Sequence, residues 1–85
     1  MGKKLSTIIV DDEALARKGL AVRLQEHSDI DIVMECSNGR EAIEAVRAYQ
    51  PDLMFLDIQM PGLDGFEVMQ ELIEQELTLP IVVFV

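Results

Sequence analysis

The stretch LMFLDIQMPGLDG, residues 53–65, decides the fold of this 85-residue chain and raises its functional question. A short apolar run ends at one carboxylate, Asp57, and a segment with a proline and two glycines follows. An apolar run bounded by turn signals is typical of a buried strand. Asp57 is therefore predicted to lie at the tip of such a strand.

Strands and helices alternate along the chain around that run. Short apolar or β-branched runs predict strands, and apolar residues at helical intervals predict helices. The predicted strands cover residues 5–10, 31–36, 52–58 and 81–85, and the predicted helices cover 13–27, 40–49 and 65–77. Strands buried on both faces and alternating with amphipathic helices predict an α/β fold, a flavodoxin-like parallel sheet in (βα)3β order with right-handed crossovers.

Helical spacing also predicts which side chains the helices bury. The first helix is expected to bury Ala16, Leu20 and Leu24 and to leave Arg17 in solvent. The third helix is expected to bury a face made of Phe66, Met69, Ile73 and Leu77. Ser37 or Asn38 is expected to cap the second helix, and Asp64 to serve the turn or cap the third.

Composition limits the classes of function. The formal net charge of −9 argues against a broad basic surface for nucleic acid, because phosphate contacts need Lys and Arg. The single cysteine, Cys36, has no partner for an internal disulfide and is expected to be packed in the core. The N-terminus resembles neither a signal peptide nor a membrane span, so a cytoplasmic location without membrane contact is expected.

Three acids follow predicted strand ends. Asp11 and Asp12 come directly after the first strand, and Asp57 lies at the tip of the third. In a parallel sheet the functional crevice lies outside the carboxyl ends of the strands, so the three carboxylates converge if these strands are neighbours. A divalent cation offsets their repulsion, and Mg²⁺ suits oxygen ligands that include a backbone carbonyl from the turn, at Gln59.

Three motifs together resemble the receiver domain of two-component response regulators, the CheY-like family. They are VDDE at residues 10–13, PDL at 51–53 and LDIQMPGLDG at 56–65, in the family's order and register. The resemblance covers essentially the whole chain, residues 1–85. It implies a signalling domain that takes a phosphoryl group from a sensor histidine kinase, and not a multiple-turnover enzyme.

The resemblance also implies a role for each matching residue. Asp57 would be the phosphoacceptor, Asp12 a direct Mg²⁺ ligand and Asp11 a ligand largely through water. Gln59 would contribute its backbone carbonyl. Pro61 and Gly65 would shape the loop that follows Asp57.

Two further expectations concern what lies beyond the chain. DDEALARKGL and LPIVVFV are similar to receivers attached to LytTR-type DNA-binding domains, which implies a DNA-binding output domain beyond Val85. Family receivers continue with a fifth strand and two more helices, and they place a Ser or Thr just past the fourth strand and a Lys at the end of the fifth. Residues 1–85 are therefore expected to be the N-terminal portion of a receiver. The open IVVFV strand predicts self-association into a homo-oligomer, and aggregation or a longer natural protein are the alternatives.

Other functions fit the residues less well. An aspartyl phosphohydrolase needs a second acid two residues after the nucleophile, and Gln59 is unable to act as acid or base. A flavin or dinucleotide site needs a phosphate-binding loop after the first strand, where DDE would repel phosphate. The alternative that stays open is a pseudo-receiver or assembly fragment that is never phosphorylated.

Overall fold

The structure, a computed structural model, describes residues 3–85. Four strands alternate with three helices. The strands are β1 (Leu5–Val10), β2 (Ile30–Cys36), β3 (Leu53–Leu56) and β4 (Ile81–Phe84). The helices are α1 (Ala14–Gln25), α2 (Gly39–Tyr49) and α3 (Gly65–Glu74).

The strands form one parallel sheet in the order β2-β1-β3-β4. The predicted flavodoxin-like α/β fold with (βα)3β order is therefore confirmed. Thr7 to Val10 of β1 pair with Leu53 to Leu56 of β3 without a register shift. Because these two strands are neighbours and parallel, their carboxyl ends meet at one edge of the sheet.

Apolar side chains on the two faces of the sheet form two cores of unequal size. The larger core lies between the sheet and helices α2 and α3, and it includes Ile8, Ile43, Met54, Leu56, Val68 and Leu72, all at most 2% exposed. The smaller core lies under α1 and centres on Ile9, Ala21 and Leu24, with Phe55 partly buried beside it. Asp57 follows β3 directly, so the larger core fixes the strand that carries it.

The buried face of the third helix was predicted in part: Met69 and Leu77 pack partly buried against the larger core, but Phe66 and Ile73 do not. Phe66 and Ile73 are each 60% exposed, whereas Val68 and Leu72 are fully buried and Gly65 is buried with them. The helix carries apolar residues on two sides, so its spacing alone did not decide the buried one. Gly65 decides it, because a helix that starts with this residue against the backbone just after β3 turns Val68 and Leu72 inward.

The ends of the elements also differ in places from the prediction. β3 is shorter than residues 52–58, since Asp52 and Asp57 flank it and pair with β1 outside the strand proper, Asp52 N–H to Ser6 O at 2.8 Å and Asp57 N–H to Val10 O at 3.0 Å. The first and third helices end earlier, at Gln25 and Glu74. The ends of β3 and of the first helix lie within the usual uncertainty of one or two residues, and the third helix ends three residues early.

A hydrogen-bonded clamp joins the amino ends of β1 and β3. Asp52 Oδ2 accepts bonds from the Ser6 backbone N–H at 2.9 Å and from the Ser6 hydroxyl at 3.2 Å. These bonds, the backbone one first, hold the pKa of Asp52 below its ordinary value of 3.8. An acid with a lowered pKa stabilises the fold above its ordinary pKa, and that contribution is lost as the pH falls through the folded-state value.

We therefore expect Asp52→Asn to lower the stability at pH 7 and to have a progressively smaller effect as the pH falls below 3.8. The physical reason is that the charged carboxylate is the stronger acceptor for the two Ser6 donors. Urea unfolding of both proteins between pH 2 and pH 7 measures the difference. Equal loss of stability at every pH would show that the charge of Asp52 plays no part.

Candidate functional site at the carboxyl edge of the sheet

The loop after β1 carries the first two acids. Asp11 is half-buried and Asp12 is exposed. The Asp11 backbone N–H donates to the carbonyl of Cys36 at the end of β2, 3.1 Å away. Its carboxylate accepts the backbone N–H of Glu13 at 2.9 Å. The first bond holds the loop at the edge of the sheet and the second orients the carboxylate within the loop, so Asp11 is anchored before any ligand binds.

Asp57 lies on the neighbouring strand end. Its backbone N–H donates to the carbonyl of Val10 at 3.0 Å, which fixes it beside the first two acids. Its Oδ1 accepts the backbone N–H of Gln59 at 3.0 Å. The side chain is half-buried, so one oxygen is held by the loop while the group still reaches the surface.

The three carboxylates meet, and we call Asp11, Asp12 and Asp57 the acidic cluster. One carboxylate oxygen from each lies within 4.8 Å of the others. Burial raises the pKa of Asp57, the Gln59 N–H lowers it, and the charges of Asp11 and Asp12 raise it again. The site is thus a concentrated negative charge that favours a cation or a proton.

The loop from residue 58 to residue 64 returns tightly to the sheet. The Gly65 N–H donates to the carbonyl of Ile58 at 2.9 Å and closes the loop. A Cβ at position 65 would lie 2.8 Å from the Asp57 carbonyl oxygen, so only glycine fits there. Gly62 has φ = 78°, a left-handed conformation that glycine adopts without strain.

The end of this loop is capped as the sequence suggested. Asp64 accepts the N–H of Glu67 at 2.9 Å, and the Glu67 carboxylate accepts the N–H of Asp64 at 3.0 Å, which is a capping box. Asp64 therefore serves the helix and not the acidic cluster. Pro61 is exposed and its peptide bond is trans. Asn38, one of the two candidates, caps α2.

Two residues near the site were not singled out from the sequence. Arg17 was predicted to face solvent, but its side chain is only 20% exposed and its Nη1 donates to the Asp11 carbonyl at 2.7 Å. Gly39 begins α2 against the loop, and a Cβ there would lie 2.7 Å from the Leu63 Cβ. The sequence holds a signal for Arg17, because it shares helical spacing with Ala21 and Leu24, the two residues of α1 that are buried.

Comparison with known proteins identifies the class of protein. The sequence profile described as "Response regulator receiver domain" matches residues 7–85. The chain therefore belongs to the response regulator receiver domain family, which is a family of signalling domains.

Particular bacterial proteins are similar along most of the chain. Transcriptional regulatory protein BtsR of Escherichia coli (strain K12) is 58% identical over 64 residues, which are 75% of this chain and 27% of BtsR. An uncharacterized response regulatory protein of Yersinia pestis is 51% identical over 81 residues, 95% of this chain and 33% of that protein. The chain thus spans about a quarter to a third of the length of these relatives.

Solved structures share the fold. The signal receiver domain of NarL from Mycobacterium tuberculosis has a TM-score of 0.89 and 31% identity, over 98% of this chain and 66% of that one. The response regulator domain of Thermotoga maritima CheB has a TM-score of 0.85 and 28% identity, over 96% and 60% of the two chains. The more specific resemblance to LytTR-type receivers is not confirmed by these matches and stays a prediction. Among residues 3–85 no helix has the length and apolar character to cross a membrane.

Proposed function

We propose that this receiver domain is a phosphoacceptor and that Asp57 carries the phosphoryl group. The observation that supports this most directly is the approach of the Asp57 carboxylate to Asp11 and Asp12, with ligand oxygens within 4.8 Å, at the carboxyl edge of a parallel sheet. Asp57 is also partly exposed, so a donor reaches it from solvent. A turn residue with no chemical role would not need two further acids beside it.

The proposed reaction is one transfer from a phosphorylated histidine of a sensor kinase. A carboxylate oxygen of Asp57 attacks the phosphorus, and an O–P bond forms as the N–P bond of the phosphohistidine breaks. The departing imidazole nitrogen keeps the electron pair of the broken bond, and the product is an acylphosphate on Asp57. Gln59 orients the acceptor, because its N–H binds Oδ1 at 3.0 Å.

The donor set fits Mg²⁺. The cluster offers oxygen ligands alone, which Mg²⁺ prefers, and ligands at about 2.1 Å from one ion lie at most about 4.2 Å apart. The three ligand oxygens of the cluster all lie within 4.8 Å of one another, which is close to that spacing. We assign Asp12 and Asp57 as direct ligands, Asp11 as a ligand largely through water, and the Gln59 carbonyl as a further donor. When bound, Mg²⁺ would neutralise charge on the phosphoryl oxygens and on the cluster.

The partners follow from the same assignment. The donor is a sensor histidine kinase in the cytoplasm, and the output is a DNA-binding domain elsewhere in a longer protein. Support for the output comes from the relatives named as transcriptional regulatory proteins and from the chain's small share of their length. The net charge of −9 argues against direct DNA binding by these residues.

The experiment that tests this function supplies a small phosphoryl donor. The protein is incubated with Mg²⁺ and acetyl phosphate, and intact-mass and peptide mass spectrometry follow. We expect one added phosphoryl group on Asp57 that hydroxylamine removes, as an acylphosphate requires. Parallel calorimetry measures Mg²⁺ binding without a donor. Mg²⁺ binding with no adduct in a chain that includes a complete receiver would favour the alternative, a pseudo-receiver or assembly fragment.

We also propose that the 85-residue chain by itself forms a homo-oligomer through the outer edge of β4. That strand pairs on one side with β3, and its residues Ile81, Val83 and Phe84 are 71%, 39% and 40% exposed. An open apolar edge without charge pairs readily with another strand. Light scattering should show a mass above the monomer that falls when Val83→Lys places a charge on the strand. A monomer at millimolar concentration would contradict this proposal.

A further inference from the structure

Arg17 is the cation that contacts the loop carrying the first two acids. It projects from the first turns of α1, and its Nη1 donates to the backbone carbonyl of Asp11 at 2.7 Å. Its Nε lies 3.5 Å from Glu35 Oε1 on β2. A guanidinium presents several donors in a fixed plane, so one side chain bridges both groups. Arg17 thereby ties the loop after β1 to the edge strand β2.

The groups that Arg17 binds matter for the acidic cluster. None of the ion pairs in the described part of the chain, residues 3–85, includes a carboxylate of the cluster. Arg17 binds the carbonyl of Asp11 and not its carboxylate, so this cation forms no ion pair with the ligand oxygens. Its charged partner, Glu35, lies outside the cluster.

The Asp11 peptide groups are consequently held from both sides. The N–H of Asp11 donates to Cys36 at 3.1 Å, and its carbonyl accepts from Arg17. The Asp11 carboxylate accepts the N–H of Glu13 at 2.9 Å, so its direction is fixed as well. Without Arg17 the carbonyl would lose its side-chain donor, and the repulsion among the three carboxylates would push the loop outward.

We propose that Arg17 is a positioning residue that preorganises the acidic cluster for its cation by holding the Asp11 carbonyl. This inference rests on the proposed function of the cluster, and it adds a residue of α1 that never touches the bound ion. Groups that orient the ligands of a metal typically change its affinity by about 10- to 100-fold when they are removed.

The test uses Arg17→Met, which keeps the aliphatic stem and removes every donor. We expect Mg²⁺ affinity, measured by calorimetry, to fall by about 10-fold. The matched control is Lys18→Met, which removes the same charge from the adjacent exposed position and should change affinity by less than about twofold. Arg17→Lys, which keeps the charge and one donor nitrogen, should restore part of the loss, whereas Glu35→Gln should leave affinity within about twofold of the wild type.

A second measurement separates this inference from the proposed function. Without metal, amide hydrogen exchange at Asp11 and Glu13 should accelerate in Arg17→Met and not in Lys18→Met, while the remaining β1 amides stay protected. If the wild type fails to bind Mg²⁺, the proposed function fails, and the exchange rates still decide whether Arg17 holds the loop. If Arg17→Met binds Mg²⁺ like the wild type, or if its exchange is unchanged, the inference is overturned.

Discussion

Replacing Asp57 with Asn should abolish the acetyl phosphate adduct completely. The amide has nearly the same shape, so the hydrogen bonds of the Asp57 backbone N–H to Val10 and of the Gln59 N–H to the side chain oxygen remain possible. An amide oxygen, however, is a poor nucleophile and forms no acylphosphate. The variant therefore separates the chemistry of residue 57 from its place in the fold. The measurement is intact mass after incubation with Mg²⁺ and acetyl phosphate.

The control for this variant is its folding. Asp57→Asn removes one of three charges that repel each other, so without metal its melting temperature should be no lower than that of the wild type. A folded variant without an adduct assigns the acceptor to Asp57. An adduct on folded Asp57→Asn would contradict the assignment and direct the search to Asp11 or Asp12.

Replacing Gly65 with Ala should destabilise the protein and impair the site together. The added Cβ would lie 2.8 Å from the Asp57 carbonyl oxygen and 3.0 Å from the Ile58 Cα. Both are backbone atoms, so neither moves aside as a flexible side chain would. Overpacking of this kind costs roughly 1–3 kcal/mol. Because the strain falls on residue 57 itself, the rate of adduct formation should drop by more than the loss of folded protein explains.

The matched control for Gly65→Ala is Gly19→Ala. Gly19 lies inside α1 and a Cβ there would meet nothing within 4 Å. In a helix interior alanine is favoured over glycine by about 0.5–1 kcal/mol, so this variant should gain stability. Urea unfolding of both variants should show a lower stability for Gly65→Ala and a higher stability for Gly19→Ala. An unchanged stability of Gly65→Ala would show that the loop relaxes around position 65. The close approach of the backbone would then not restrict this position to glycine.

The sequence predicted the strands, the helices and their order along the chain, because these depend on short-range patterns. It predicted the meeting of the three acids on the condition that β1 and β3 are neighbours, and the structure shows that they are. Each acid directly follows an apolar run, and the ends of neighbouring parallel strands must meet. The orientation of the helices was less predictable. In α3, Phe66 and Val68 are both apolar, and the close backbone approach at Gly65, a tertiary contact, decides which one is buried.

The environment of Arg17, a polar residue, was equally hard to predict from the sequence. An arginine on a helix is usually solvated, and its spacing with Ala21 and Leu24 was the sole sign of a different environment. What holds it inward is a backbone carbonyl, at Asp11, and a backbone acceptor has no signature in the amino-acid sequence. Contacts between a side chain and the main chain of another element are thus the part of a site that a single sequence conceals.

The contact between Gly39 and Leu63 has an evolutionary consequence. A Cβ at position 39 would lie 2.7 Å from the Leu63 Cβ and 2.9 Å from Val68 Cγ2, so the first turn of α2 leaves no spare volume beside the loop after Asp57. Substitutions at these positions are therefore coupled. A side chain at position 39 therefore requires the loop at residue 63 and the Val68 side chain to move away from α2, and that movement alters the surroundings of the third acid.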